Sequence, residues 1–238
     1  MPEEHRSEEE EAGRRTDPTG AAAEAVSAPD RLLAAAERNF ALYGVEGVPI
    51  SRIVREAGQR NVSAISYYFG DRRSLVRAIL TSRLGELNAR RQAMLDEMRG
   101  SGRPLSVRDC IVLLVWPLAH FISSDMRESY YVRFMLQVHV HLDYRPIREE
   151  HYHLATSFLE TLEELRRHLA CLDSRLVDGR IGDLSDHILA SLAFIEALIG
   201  RRSPFDVELR VHNLIDGLTA AIHAEISAET GKLLASRA

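Results

Sequence analysis

The stretch Ser63-Ala64-Ile65-Ser66-Tyr67-Tyr68-Phe69-Gly70-Asp71-Arg72-Arg73-Ser74-Leu75 decides the fold of this 238-residue chain. It reads as the end of a short helix, beginning near Asn61 or Val62, that carries aromatics in its last turn and is closed by Gly70. Working outward, Pro49 to Ala57 is a second short helix, with Ile50, Ile53, Val54 and Ala57 on one face and Gly58 as its stop. Before it, Arg31 to Tyr43 carries large apolar residues at 32, 33, 36, 40 and 43, and Gly44 supplies the left-handed cap. Two such short helices around a glycine-containing turn cannot stand alone. The first helix must cover them, which gives a three-helix head built on a helix-turn-helix.

In this order of elements (a helix, Gly44, a helix with Ile53 and Ala57-Gly58, a third helix, then an aromatic pair before Gly70-Asp71-Arg72-Arg73-Ser74-Leu75) the segment from Asp30 to Leu80 resembles the DNA-binding head of the TetR family of bacterial transcriptional regulators. The resemblance implies that the third helix lies in the major groove with its flanks on phosphates. Val62, Ser63, Ala64, Ser66 and Tyr67 then fall on reading positions. Ser63 and Ser66 offer hydroxyls, Val62 and Ala64 can touch thymine methyls, and Arg60 or Asn61 at the turn could bond guanine or adenine. Tyr68 and Arg72 fall on the family's phosphate-contact positions.

Three departures from the family pattern stand out. The turn Gly58-Gln59-Arg60-Asn61 is one residue longer than the commonest spacing. Ser66 stands where a Tyr is frequent. Val48-Pro49 replaces the Thr or Ser that usually caps the second helix, so Ser51 or Arg52 must supply that phosphate contact.

The net charge of −5 looks wrong for a DNA binder until it is divided. Residues 1–29 hold eight acids against three arginines, whereas residues 30–75 hold seven arginines against five acids. The basic excess sits on the head, and its small size predicts modest, salt-dependent non-specific affinity. The run Ile111 to Ala119 is too short for a membrane span, and no secretory signal is read at the N-terminus, so a cytoplasmic protein without membrane contact is expected. Cys110 and Cys171 sit within helical patterns and read as reduced core thiols.

The fold class expected is all-α, with about nine helices. Residues 1–28 form an acidic tail of disordered composition, residues 29–75 the head, and residues 76–238 a helical ligand-binding and dimerisation domain. In that domain Ser74–Met98, Val107–Ser123, Glu128–Leu142, Ile147–Cys171, Leu184–Ile199 and Phe205–Ser227 read as helices, and Asp173 to Gly182 as a polar bridge.

Pro117 lies inside the most apolar of these helices and strips the carbonyl of Leu113 of its amide partner. Near it Trp116, His120 and Phe121, with Tyr131, Phe134, Met135 and Val138 on the next helix, suit an apolar effector cavity as well as an ordinary core. The resemblance favours the cavity, since these regulators usually bind an inducer there. The stripes Ile188, Leu192, Ile195 and Val211, Leu214, Leu218, Ile222 fit a four-helix dimer interface, or packing within one chain.

His139/His141 and His151/His153 are spaced by two, which splays each pair on a helix, so no metal site is expected. No nucleophile–base motif or phosphate loop is present, and neither enzyme activity nor a cofactor is expected. The function implied is a ligand-responsive regulator, a repressor, that binds a palindromic double-stranded operator as a homodimer and is released by a small apolar or amphipathic effector. The alternative is a helical metal-binding protein, or a protein-binding adaptor with a non-functional head.

Overall fold

A computed structural model describes residues 27–123, 129–199 and 206–236, and the acidic tail expected at 1–28 lies almost wholly outside them. Among the described residues there are twelve α-helices, one 3-10 turn and no strand.

The head follows its sequence signals. Helix α1 (Ala28–Tyr43) is capped by Ser27, whose hydroxyl accepts from the Asp30 amide, and it closes at Gly44, which has φ +79° and donates its N–H to the Phe40 carbonyl. Leu32, Ala36 and Phe40 point from α1 into a core completed by Ile53 and Val54 of α2 (Ile50–Glu56) and Ile65 of α3 (Ser63–Tyr68). Asp71 caps α4 (Arg72–Ser82) by accepting the Ser74 amide at 2.7 Å.

The segment read as one helix from Ser74 to Met98 is two. At Arg83 the chain turns from α4 into α5 (Leu84–Gly100), where the hydroxyls of Thr81 and Ser82 donate back to the carbonyls of Arg77 and Ile79. Such back-bonding competes with helix continuation. Helix α6 (Val107–Ser123) follows, then α7 (Tyr131–Val140) and the 3-10 turn Leu142–Tyr144.

The expected Ile147–Cys171 helix is likewise divided at Ala155, into α8 (Arg145–Leu154) and α9 (Thr156–His168). There the Asn88 side-chain amide donates to the Leu154 carbonyl. Conversely, the stretch read as a polar bridge is helical: α10 runs from Ser174 to Ile199, because Val177, Ile181 and Leu184 form one buried face that outweighs the cost of Gly179 and Gly182. Helices α11 (Val207–Ile222) and α12 (Ala228–Ala235) complete the chain. Cys110 is buried, its thiol pushed up to about 12 by desolvation, but Cys171 is exposed rather than a core thiol.

Two main apolar cores result. One belongs to the body and joins α6, α9, α10 and α11; the other fills the head but also takes Tyr130, Tyr131, Phe134 and Val138 from the α7 region. Leu118 and Met135 pack against both. Helix α7 therefore lies between α1 of the head and α10 of the body. Its N-terminus is fixed from α10: the buried carboxylate of Glu196 accepts the Arg133 amide at 2.8 Å, the Val132 amide at 3.2 Å and the Arg133 Nε at 3.1 Å. A carboxylate satisfies the free amides of a helix start and suits its positive dipole end.

Candidate nucleic-acid interface and ligand cavity

Helix α3 buries Ile65, half-buries Ala64, and leaves Asn61, Val62, Ser63, Ser66, Tyr67 and Tyr68 exposed. Tyr67 is 80% exposed and meets the Tyr68 ring edge-on at 4.8 Å. An apolar surface so open on a short helix has no folding role. Ser63, Ser66 and Tyr67 therefore form one outward face next to the exposed Arg60. Asn61 acts locally. Its Oδ1 accepts the Ser63 amide at 3.0 Å, an Asx turn that leads into α3.

Two arginines read as phosphate ligands are held by the head itself. Arg72 donates to the carbonyls of Val45 and Val48, the latter at 2.7 Å, and lies over the Phe40 ring. It thus pins the loop between α1 and α2 with the same guanidinium that the resemblance reads as a phosphate contact. Arg52 pairs with Glu56 at 2.9 Å and stacks on Tyr43, 4.1 Å from the ring centre. Hydrogen bonds from Asn39 and Arg52 hold the Glu56 carboxyl below its ordinary range. Ser51 beside it is exposed.

Among the described residues, the effector cluster expected around Trp116 is split between separate packing environments. Trp116 turns to α11, where its ring meets His212 at 5.3 Å. Tyr131, Phe134 and Val138 are buried in the core shared with the head: the Tyr131 hydroxyl donates to the Leu80 carbonyl at 3.0 Å, and Phe134 stacks on Phe40 at 6.2 Å. Phe121 packs on Tyr131, and His120 is half-buried. Helix periodicity places these side chains near each other but cannot choose which side of α6 stays open.

The cavity lies on another side of α6. It measures about 60 Å³ and is walled by Leu84, Leu87, Leu114, Leu118, Met135, Ala155, Phe158, Ile188 and Leu189, with Arg91, His151, Tyr152 and Ser185 as its polar members. Met135 alone of the expected effector residues reaches it.

Arg91 is 4% exposed. Its Nε donates to the Leu113 carbonyl at 2.9 Å, its guanidinium reaches the Ser157 hydroxyl at 3.2 Å, and the Phe158 ring lies 5.5 Å away. Among the described residues no carboxylate is within ion-pair distance of it, and burial lowers its pKa to about 10. His151 is also buried, its pKa lowered by desolvation, and its Nδ1 has no hydrogen-bond partner among the described residues. A sequence signal for Arg91 exists: it interrupts the apolar series Leu84, Leu87, Leu95 at helical spacing.

The stripes read as a dimer interface are mostly internal. Ile188, Leu192, Ile195, Val211, Leu218 and Ile222 are buried in the body core, and only Leu214 is partly open. The open face is one step around each helix. Phe194, 58% exposed, and Leu209, 64% exposed, rim a wide groove between α10 and α11 whose wall includes Ala190, Ser191, Asn213, Leu214 and Gly217. A Cβ on Gly217 would meet nothing within 4 Å.

Among the described residues no group of three metal-ligating side chains converges, and no helix is long and apolar enough to cross a membrane. His139 pairs with Asp186 at 2.5 Å, whereas His151 lines the cavity.

Residues 32–79 match the family described as bacterial regulatory proteins, tetR family. No curated protein matches the chain in sequence. Its fold is shared by the transcriptional regulator FadR of Bacillus subtilis, solved in complex with stearoyl-CoA, at 15% identity and a TM-score of 0.52 over 81% of this chain and 98% of that one. It is also shared by the fatty acid degradation regulator FadR of Bacillus halodurans, at 15% identity and a TM-score of 0.53 over 83% of this chain and 97% of that one. The helix-turn-helix head with its outward α3 face and the family match that covers it lead to one conclusion: residues 32–79 are a head of the bacterial tetR family of regulatory proteins, carried on a body that shares the fold of these regulators.

Proposed function

We propose that this protein is a homodimeric repressor that binds a palindromic operator and is released by a small amphipathic effector held in the body. The observation that carries the reading is the position of α7. It packs on α1 of the head, is capped by Glu196 of α10, and offers Met135 to the cavity wall. An effector larger than about 60 Å³ must displace walls to enter, and the wall formed by α7 is joined to the head by Phe134–Phe40 stacking and by the Arg38–Tyr130 hydrogen bond at 3.2 Å. Effector binding and DNA binding then favour different positions of α7, which couples the two sites.

The dimer is argued from the groove between α10 and α11. A glycine inside a helix costs about 1 kcal/mol relative to alanine, and an exposed Gly217 on the groove wall is explained by close approach of a second helix. A two-fold pair of heads would read two half-sites about one helical turn apart, ~34–36 Å. On each head Ser63, Ser66 and Tyr67 face the bases, and Arg60, Tyr68 and Ser51 flank them. The effector class is supported by the largely apolar cavity with few polar groups, and the structurally similar FadR of Bacillus subtilis holds a fatty-acyl ligand, stearoyl-CoA.

Selection of bound duplexes from a random pool tests the reading. The expected product is an inverted repeat bound by an even number of chains, with affinity that falls steeply with salt. Recovery of no enriched sequence, or of a half-site bound by a single chain, would overturn it.

A further inference from the structure

We propose that the cavity between α5, α6, α7 and α10 is a carboxylate-binding site, with Arg91 as the anion's partner and the apolar walls as the seat of its hydrocarbon part. The inference rests on the effector reading above and deepens it to a ligand class.

Four observations converge. Arg91 is a cavity-lining cation, almost fully buried, with no carboxylate in ion-pair distance among the described residues. Buried charges are ordinarily paired, because the desolvation of an isolated ion is too costly to leave uncompensated. Elsewhere among the described residues the rule holds for buried carboxylates: Glu196 pairs with Arg133, and Asp109 is gripped by two hydrogen bonds from Arg103. At Arg91 the two acceptors are neutral, the Leu113 carbonyl and the Ser157 hydroxyl. A neutral amide side chain could satisfy the carbonyl as well, so the proline in α6 does not by itself call for a cation.

The second observation is His151. Its ring is buried in the same wall, burial favours its neutral form, and its Nδ1 is unsatisfied among the described residues. Whichever ring nitrogen holds the proton, the neutral imidazole has one donor and one acceptor. A carboxylate beside Arg91 offers more acceptor sites than one guanidinium edge uses, which leaves one for the imidazole N–H.

The third is the rest of the lining. Leu84, Leu114, Leu118, Met135, Ile188 and Leu189 offer no hydrogen-bonding side chain, the Ser185 hydroxyl already donates to the Ile181 carbonyl, and the Tyr152 hydroxyl meets His139 at 3.4 Å, so the ligand beyond its anionic end is hydrocarbon. Met135, with its flexible thioether, can re-pack around chains of different length. The fourth is size. A cavity volume of about 60 Å³ is below that of a cavity that holds benzene, ~150 Å³. A medium-chain carboxylate therefore enters only by moving a wall, and α7 is the wall that leads to the head.

The test uses the full-length protein and matched pairs of straight-chain ligands: hexanoate, octanoate, decanoate and dodecanoate, each against its methyl ester. Binding is read by calorimetry, and release from the selected operator by fluorescence anisotropy, as separate measurements. A charge-assisted hydrogen bond to guanidinium is worth about tenfold to a hundredfold in affinity, so at least one acid should bind that much more tightly than its ester. In Arg91→Gln, which keeps an N–H donor for the Leu113 carbonyl, that preference should disappear while the ester's affinity stays within a few-fold.

Equal affinity of acid and ester in the unaltered protein overturns the carboxylate site and leaves the effector reading intact; this arm needs no variant to fold. A preference that survives Arg91→Gln, or no binding by any acid, also overturns it. Tight, Arg91-dependent carboxylate binding that leaves the operator complex unchanged supports the site and removes its regulatory role.

Discussion

The Nε of Arg91 donates at 2.9 Å to the carbonyl of Leu113, the group one turn before Pro117 that the proline ring deprives of its helical amide. A helix defect in α6 is thus filled from α5. Pro117→Ala, which restores an amide opposite Leu113, should therefore stabilise Arg91→Met more than it stabilises the unaltered chain. The coupling should amount to about 1–3 kcal/mol, the cost of leaving a buried carbonyl unpaired. Urea unfolding of the four proteins measures it, and additive effects would break the link between the two residues.

Arg72 and Tyr67 should separate stability from DNA contact. Arg72→Ala loses two hydrogen bonds to the α1–α2 loop, so its expected cost is about 1–3 kcal/mol in unfolding, with the salt slope of operator binding unchanged. Tyr67→Ala removes an exposed ring and should leave the melting temperature where it is while weakening operator binding. Thermal melts beside salt titrations check both; a salt slope lowered by about one in Arg72→Ala would return it to the phosphate set.

Phe194 and Leu192 are two residues apart on α10 and face opposite ways. Phe194→Arg adds a charge to an exposed groove and should give a folded monomer by sedimentation, with operator affinity lost because two heads no longer bind together. Leu192→Arg places an unpaired charge in the body core and should cost several kcal/mol, enough to unfold most of the chain. A dimeric Phe194→Arg would place the interface elsewhere.

Glu37 gives the head a pH dependence. Burial raises its carboxyl to about 7, against an ordinary value of 4.5, with Glu196 adding to the shift and Arg83 and the Tyr130 backbone opposing it. The folded state therefore holds this proton more tightly. The stability that protonation contributes is fully present below about 4.5 and is lost as pH rises through 7. Glu37→Gln should melt a few degrees higher than the unaltered protein at pH 8 and close to it at pH 5. A difference that is constant across this range would mean that Glu37 does not titrate where burial puts it.

The head is legible in the sequence because its signals are local. Glycine at 44, 58 and 70, each with positive φ, and the apolar spacing of α1 specify it without reference to the rest of the chain. The third helix and its exposed Ser63, Ser66 and Tyr67 follow directly. The hold of Arg72 on the α1–α2 loop is not legible, because it depends on where the Val45 and Val48 carbonyls end up, which no spacing reveals. The body is legible only in outline. Its helices are long and apolar, but which side of α6 is left unfilled depends on side chains from five helices. The stripes of α10 and α11 resemble an interface because a periodic apolar face does not say whether its cover is the same chain or another. Leu192 and Val211 are covered from within.

The sharing of Leu118 and Met135 between the two cores has a consequence for how the protein melts. The head has no core of its own to fall back on, because part of its packing is Tyr131 and Phe134 of α7. It should not detach and unfold ahead of the body as a tethered bead would. Amide exchange should find Leu32, Phe40 and Ile53 as slow as Ile111 and Leu165, all opening in one cooperative event.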